Sequence, residues 1–238
     1  YGLVGSEMCI RDRMQVYFID NDDYFLKRLM ALDENGNEYE DNSERAIFYA
    51  RGVLETVKKL RWVPDVIHCQ GWMSALVPLY VKTAYKEEPS FRDSKIVYSM
   101  SSEGLKQSMG TNFGNCITFR DVNASVLEDF SPEVTYDELN KLAINYSDGL
   151  TVPDTDKFQA FAEYAQSKQI PVLERYRSGC SQVTRRVGAF QLKGYRLVFA
   201  LGKHHIAIQH CAVSRHCFKK TDIGTLECRQ AAEIRIRT

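Results

Sequence analysis

Helical periodicity alternating with short apolar runs constrains this chain more than any other feature. Residues 15–19 (Gln-Val-Tyr-Phe-Ile), 65–69 (Asp-Val-Ile-His-Cys) and 95–99 (Lys-Ile-Val-Tyr-Ser) are strand-like, rich in β-branched and aromatic side chains. Between the first two, Ala46, Ile47, Ala50, Val53, Leu54, Val57 and Leu60 recur at steps of three and four, a single buried stripe that predicts a helix over about 43–60. Asp41 stands at its N-cap with Glu44 three residues on, the spacing of a capping box. Lys58, Lys59 and Arg61 suit the negative end of the helix dipole, and Pro64 marks that the helix is over. Between the second and third runs, residues from Trp72 to about Lys86 read as a helix with Ala75, Leu76, Leu79, Tyr80 and Thr83 on one face. Strands separated by helices of this length are joined by crossovers, which places them parallel. The expected fold class is therefore α/β, a Rossmann-like parallel sheet with crossover helices.

Downstream the pattern thins and then resumes. Residues 100–135 read as loops around Ser101, Ser102, Gly104 and Gly110, with a short strand at 116–119. Tyr136 to Tyr146 and Asp156 to Lys168 have helical spacing, and 150–152 and 170–173 are strand-like. The zero formal net charge conceals a division. Residues 1–174 carry 18 Lys+Arg against 28 Asp+Glu, whereas residues 175–238 carry 13 against 3. Residues 1–13 lack a period and are read as a leader, non-native or disordered. Residues 14–174 are the domain. Residues 175–238 are read as an out-of-frame or poorly ordered tail, in which only residues 191–200 have the character of a strand. Seven cysteines, an odd number with no CxxC pair, fit reduced thiols better than a disulfide framework. No apolar run approaches the roughly 18 residues of a membrane span, and the N-terminus lacks the order of a signal peptide. The expectation is a cytoplasmic protein without membrane or nucleic-acid partners.

In an open parallel sheet, ligands bind beyond the carboxyl ends of the strands. Here those ends are Asp20-Asn21, His68-Cys69-Gln70-Gly71-Trp72, Ser99-Met100-Ser101-Ser102 and Val152-Pro153-Asp154. The second is the best candidate: Gly71 permits close backbone approach, and Trp72 offers a flat face for a sugar ring. Two readings of Trp72 stand side by side, a sugar platform and a core residue behind a plain strand-to-helix turn. His68 reads more readily as a hydrogen-bonded core histidine than as a catalyst, and Cys69 as a small buried hydrophobe. Neither a GxGxxG fingerprint nor a Walker A loop is present. Asp93 and Glu103, which flank the third strand, read as solvated surface. His204, His205, His210, Cys211, His216 and Cys217 crowd the tail, yet their spacing matches no closed zinc pattern, and no metal is expected.

Taken in order, VYFIDNDDYF, DNSERAIFYARGVLETVKKLRWVPDVIHCQGWMSALVPLY, KIVYS and ELNKLAINYSDGLTV resemble the bacterial glycogen/starch synthase family, in particular its short single-domain members. The resemblance covers about residues 14–174. It implies the N-terminal half of a GT-B glycosyltransferase, a two-domain fold in which this half holds the acceptor. It also implies transfer of glucose from ADP-glucose to an α-1,4-glucan with retention. ADP-glucose would be a substrate, so no cofactor is implied, and the partners would be the glucan, the nucleotide-sugar and a partner chain supplying the second domain. An alternative is a non-catalytic glucan- or nucleotide-sugar-binding module of the same descent. Where the family reads His-x-His-Asp-Trp, this chain reads His68-Cys69-Gln70-Gly71-Trp72, and the family's His-Asn after the next strand is replaced around Met100-Ser101-Ser102. The family's Lys-Thr-Gly-Gly loop does not precede Met14. No catalytic residue is therefore assigned. The substrate-binding set is His68, Gln70, Gly71 and Trp72, with Trp72 and the Gly71 amide on the sugar and His68 orienting the turn.

Overall fold

The computed structural model describes residues 2–9, 14–26, 28–101, 104–153, 156–173, 196–203 and 205–212. Its centre is one eight-stranded sheet. In chain order the strands are β1 (Gly2–Cys9), β2 (Met14–Asp20), β3 (Val66–Gln70), β4 (Lys95–Ser99), β5 (Gly149–Thr151), β6 (Val172–Leu173), β7 (Arg196–Lys203) and β8 (His205–Ala212). They lie side by side as β1-β2-β8-β7-β3-β4-β5-β6. From β7 through β6 every pairing is parallel. β1 and β8 run against their neighbours, which leaves β2 pointing the same way as β3. The helices are α1 (Asp22–Phe25), α2 (Asn42–Lys59), α3 (Val77–Lys82), α4 (Phe113–Cys116), α5 (Tyr136–Asn145) and α6 (Gln159–Ser167). This is an α/β parallel sheet with crossover helices.

Two features of the sheet differ from the simple reading. First, β2 and β3 are not neighbours, because the β7–β8 hairpin lies between them. A crossover by α2, 18 residues and about 27 Å long, can clear two strands before the chain re-enters the sheet. Second, the stretches set apart as leader and tail contribute β1, and β7 with β8. Leu197-Val198-Phe199-Ala200-Leu201 is a continuous apolar run and Ile206 and Ile208 alternate, signals that vanish when periodicity is taken over the whole of 175–238. The rest of that tail lies outside the described residues.

α2 is the main support of the sheet's N-terminal side. Its stripe is as expected: Ala46, Ala50, Val53 and Leu54 are fully buried. Gly52 brings the helix close to β2, since a Cβ there would stand 3.0 Å from Ile19 Cγ2. Tyr17 is buried on the same strand and meets the edge of Trp62 at 5.0 Å. Asp41 occupies the N-cap position but makes no side-chain cap. Its carboxylate is taken instead by Arg28, at 2.7 and 2.5 Å, a bidentate ion pair that outcompetes a single amide donor. The true capping box is at α5, where Thr135 and Glu138 satisfy each other's backbone amides. Burial pushes the Glu138 carboxyl up, but hydrogen bonds from Ser131 and Thr135 outweigh it and hold it at about 2.

The stretch expected to be one helix from Trp72 to Lys86 is a 3₁₀ turn, Trp72–Ser74, followed by α3. Pro78 is the cause: it has no N–H to give the Ser74 carbonyl, so an unbroken α-ladder cannot pass through. The expected strand at 116–119 is α4 and a single bridge between Phe119 and Val122. Asn112 and Phe113 carbonyls accept from Cys116 and Ile117 amides, and Tyr80 Oη donates to the Ile117 carbonyl at 2.9 Å. Those local bonds leave nothing for a sheet ladder to satisfy.

Arg45 is the most consequential residue that periodicity did not single out. It is 1 % exposed. Nε donates to the Tyr24 carbonyl at 3.0 Å, Nη1 to the Met30 carbonyl at 2.9 Å and to Asn42 Oδ1 at 2.7 Å, and Nη2 to the Leu29 carbonyl at 2.9 Å. Burial lowers its pKa to about 10, so the guanidinium stays charged at neutral pH. Arg45→Met would strand three carbonyls and one amide oxygen. The expected loss is about 3 kcal/mol or more in urea unfolding, and Arg45→Lys, which cannot fork to the same acceptors, recovers only a minor part.

Candidate active-site region

β2, β3, β4 and β5 end at one side of the sheet, and the residues singled out from sequence gather there. Gln70 closes β3, and Gly71 turns the chain with φ 75° and ψ 176°, a conformation essentially reserved for glycine. The turn is firmly bonded. Gly71 N–H donates to the Ser99 carbonyl at 3.0 Å, and the Gly71 carbonyl accepts from Ser74 N at 3.2 Å and Ser74 Oγ at 3.0 Å. The Gly71 amide, expected to meet sugar, is therefore used inside the protein, and the glycine is required by backbone conformation. Trp72 is 5 % exposed and sits in the core cluster, so the core reading describes it better than the open platform. Gln70 is half-buried and is the polar side chain of the set nearest solvent.

Beneath the turn lies a buried polar chain. His68, Ser99 and Thr151 stand on β3, β4 and β5, each less than 5 % exposed. His68 Nε2 is 2.6 Å from Ser99 Oγ, and Thr151 Oγ1 is 2.5 Å from the same oxygen. Burial lowers the His68 pKa to about 4, which keeps the ring neutral at ordinary pH. Cys69 is fully buried and desolvation pushes its thiol up, as befits an inert hydrophobe.

A cleft of about 210 Å³ opens at the same side of the sheet, between residues 38–43 and 105–110. The Glu38 carboxylate joins its walls by accepting from the Lys106 and Gln107 amides at 2.5 and 2.9 Å. Tyr39 is backed by the guanidinium groups of Arg28 and Arg45, 4.2 and 4.9 Å from its ring centroid. Ser43 is 9 % exposed and lines the cleft. Hydroxyls, carboxylates and an apolar Leu105 suit a polyhydroxylated ligand better than an anion. Sequence reasoning missed this cleft, although its two walls follow the carboxyl ends of β2 and β4, where it could have been sought. Asp93 is exposed beside Arg92, away from any paired-carboxylate site. Ser102, Glu103, Asp154, His204, His216 and Cys217 lie outside the described residues. Among the described residues no three His, Cys, Asp or Glu side chains are placed to hold a metal ion, and no helix is long and apolar enough to cross a membrane.

Comparison with known proteins bears on the family. The family model for the starch synthase catalytic domain matches residues 3–155, which takes in most of the stretch set apart as a leader. The glycogen synthases of Pelodictyon phaeoclathratiforme and Chlorobium limicola are 39 % and 40 % identical to the chain over 89 residues. That stretch is 37 % of this chain and 18 % of either relative. The glycogen synthase of Koribacter versatilis is 39 % identical over 95 residues, 40 % of this chain and 19 % of that protein. The match thus spans less than a fifth of these relatives' length. Among solved structures, the catalytic domain of starch synthase IV from Arabidopsis thaliana, bound to ADP and acarbose, overlaps 72 % of this chain and 38 % of its own. The TM-score is 0.48 and the identity 13 %.

The geometry makes two predictions. Below pH 6.5 the unfolded chain takes up a proton at His68 that the folded chain refuses until about pH 4. The stability associated with neutral His68 is complete above pH 6.5 and falls by roughly 3 kcal/mol by pH 4. Urea titrations at pH 7, 5 and 4 should show this slope in the wild type and not in His68→Gln; equal slopes would place its origin elsewhere. For Trp72→Ala, a core role implies a loss of roughly 3–5 kcal/mol in the same assay. Unchanged stability would return the indole to the ligand side.

Proposed function

The chain belongs to the starch synthase catalytic domain family, and on that premise we propose that it is the acceptor-side domain of a glucan synthase. The reaction is transfer of glucose from ADP-glucose to the 4-hydroxyl of an α-1,4-glucan with retention. The observation that supports this most directly is the cleft rimmed by hydroxyls and carboxylates, on the side of the sheet where the strands' carboxyl ends and the Gly71 turn lie. A saccharide there meets acceptors in Glu40 and donors in Ser43 and Gln107. His68, Gln70, Gly71 and Trp72 are the substrate-binding set, with roles set by burial. Gln70 reaches the ligand, Gly71 shapes the turn, Trp72 packs behind it and His68 orients it from below.

The charge that develops on the departing diphosphate requires cations and helix dipoles aimed at it. We assign these to the second domain of the GT-B fold, with the donor bound between the two. ADP-glucose enters as a substrate and no further cofactor takes part. A cytoplasmic location fits such a reaction. One observation favours the second reading, a non-catalytic glucan- or nucleotide-sugar-binding module: Gln70 and Gly71 occupy positions where the resemblance leads one to expect His and Asp.

Glucose incorporation from labelled ADP-glucose into glycogen by the full chain tests transfer, and maltoheptaose titration tests binding. Gln70→Ala is expected to weaken maltoheptaose about tenfold with unchanged thermal stability. Binding without incorporation selects the binding module, and absence of both overturns the assignment.

A further inference from the structure

Resting on the glucan-site reading, we propose that Ser99 is a positioning residue for that site, holding the Gly71 turn through its carbonyl and fixing His68 as the Nδ1–H tautomer through its hydroxyl. Ser99 is the last residue of β4 and 3 % exposed. Its carbonyl accepts the Gly71 amide at 3.0 Å. Its hydroxyl stands between His68 Nε2 at 2.6 Å and Thr151 Oγ1 at 2.5 Å. One side chain and one carbonyl thus join the carboxyl ends of three adjacent strands to the turn.

Proton accounting along the chain sets its direction. A neutral imidazole has one N–H, and each hydroxyl has one proton to give. If Thr151 donates to Ser99, then Ser99 donates to His68 Nε2, and both hydroxyl protons have an acceptor. His68 then carries its own proton on Nδ1. In the opposite direction, Nε2–H donates to Ser99 and Ser99 to Thr151. The Thr151 proton, on a residue 2 % exposed, then has no second acceptor among the described residues. A buried donor left in that state is costly, which favours the first direction. A charged ring, which would donate from both nitrogens, is excluded by its burial.

The arrangement gives Ser99 a role that packing alone would not. Removing its hydroxyl takes away the donor to His68 Nε2 and the acceptor of Thr151 together, while the Gly71 N–H bond to the Ser99 carbonyl is formally retained. The turn then rests on an imidazole that has lost the Ser99 contribution to its tautomer and orientation.

The experiment is long-range ¹H–¹⁵N NMR of the full chain, with maltoheptaose titration of the same samples. In the wild type, His68 should show a protonated Nδ1 and a bare Nε2. Ser99→Ala should lose that signature and weaken maltoheptaose about tenfold through the loosened turn. Thr151→Ser keeps the hydroxyl and should retain both, whereas Thr151→Val should yield a mixture of tautomers. A protonated Nε2 in the wild type overturns the proposal before any variant is made, so a variant that fails to fold leaves it decidable. Unchanged affinity in Ser99→Ala, with the wild type binding, overturns the positioning role. A wild type with the Nδ1–H signature but no affinity for maltoheptaose overturns the glucan reading and leaves the tautomer assignment standing.

Discussion

A buried guanidinium governs the N-terminal side of this molecule. Arg45 projects from the first turn of α2 into a shell of carbonyls belonging to residues 24–30, and its planar fork reaches them all at once. The loop has few apolar anchors; Leu26 and Leu29 are more than half exposed. Its path is therefore set by polar bonds to a single charged side chain. Tyr39 completes the arrangement by lying against Arg28 and Arg45, and Arg28 in turn clamps Asp41. Since the same loop continues into one wall of the cleft, the shape of the candidate site depends on a charge that never reaches solvent.

What the sequence made legible follows from what periodicity encodes. The stripe of α2, the extended runs of β2 to β4 and the helix at α5 are repeated signals, and each element was found within a residue or two of its expected place. Single-residue competition was not legible. Asp41 has the right chemistry and spacing to cap α2, but nothing local reveals that Arg28, thirteen positions away, would take both its oxygens. Pro78 in the first turns of a helix is compatible with either a continuous helix or a 3₁₀ start, and geometry at Ser74 decided for the latter. In the site, the strand ends pointed to 68–72, yet the cleft at 38–43 and 105–110 depends on Glu38 meeting amides almost seventy residues away.

The candidate site combines a rigid floor with an open rim. Three parallel strands finish in a hydrogen-bonded polar chain under a glycine turn, and none of its members faces solvent. Above them Gln70 stands half-buried at the strand end, and the cleft opens at the same side of the sheet. Under the proposed function, such a layering suits recognition of a neutral polymer whose hydroxyls exchange with water: the floor fixes geometry, while the rim supplies many weak, replaceable bonds. It is ill suited to holding a diphosphate, for the carboxylates of Glu38 and Glu40 stand at the rim.

The β7–β8 hairpin between β2 and β3 has a consequence for the order in which the chain can fold. β2 and β3 are successive strands in sequence after β1, with α1 and α2 between them, yet neither completes its ladder until residues 196–212 have arrived. During synthesis the ribbon β1–β2 and the block β3–β6 can each form while the last stretch is still being made, and the seam between them closes last, near the middle of the sheet. That is a high-contact-order step, slow by nature, and until it occurs two strand edges stand open to any extended peptide that passes. The hairpin is therefore both the final piece of the sheet and its protection against pairing with another chain.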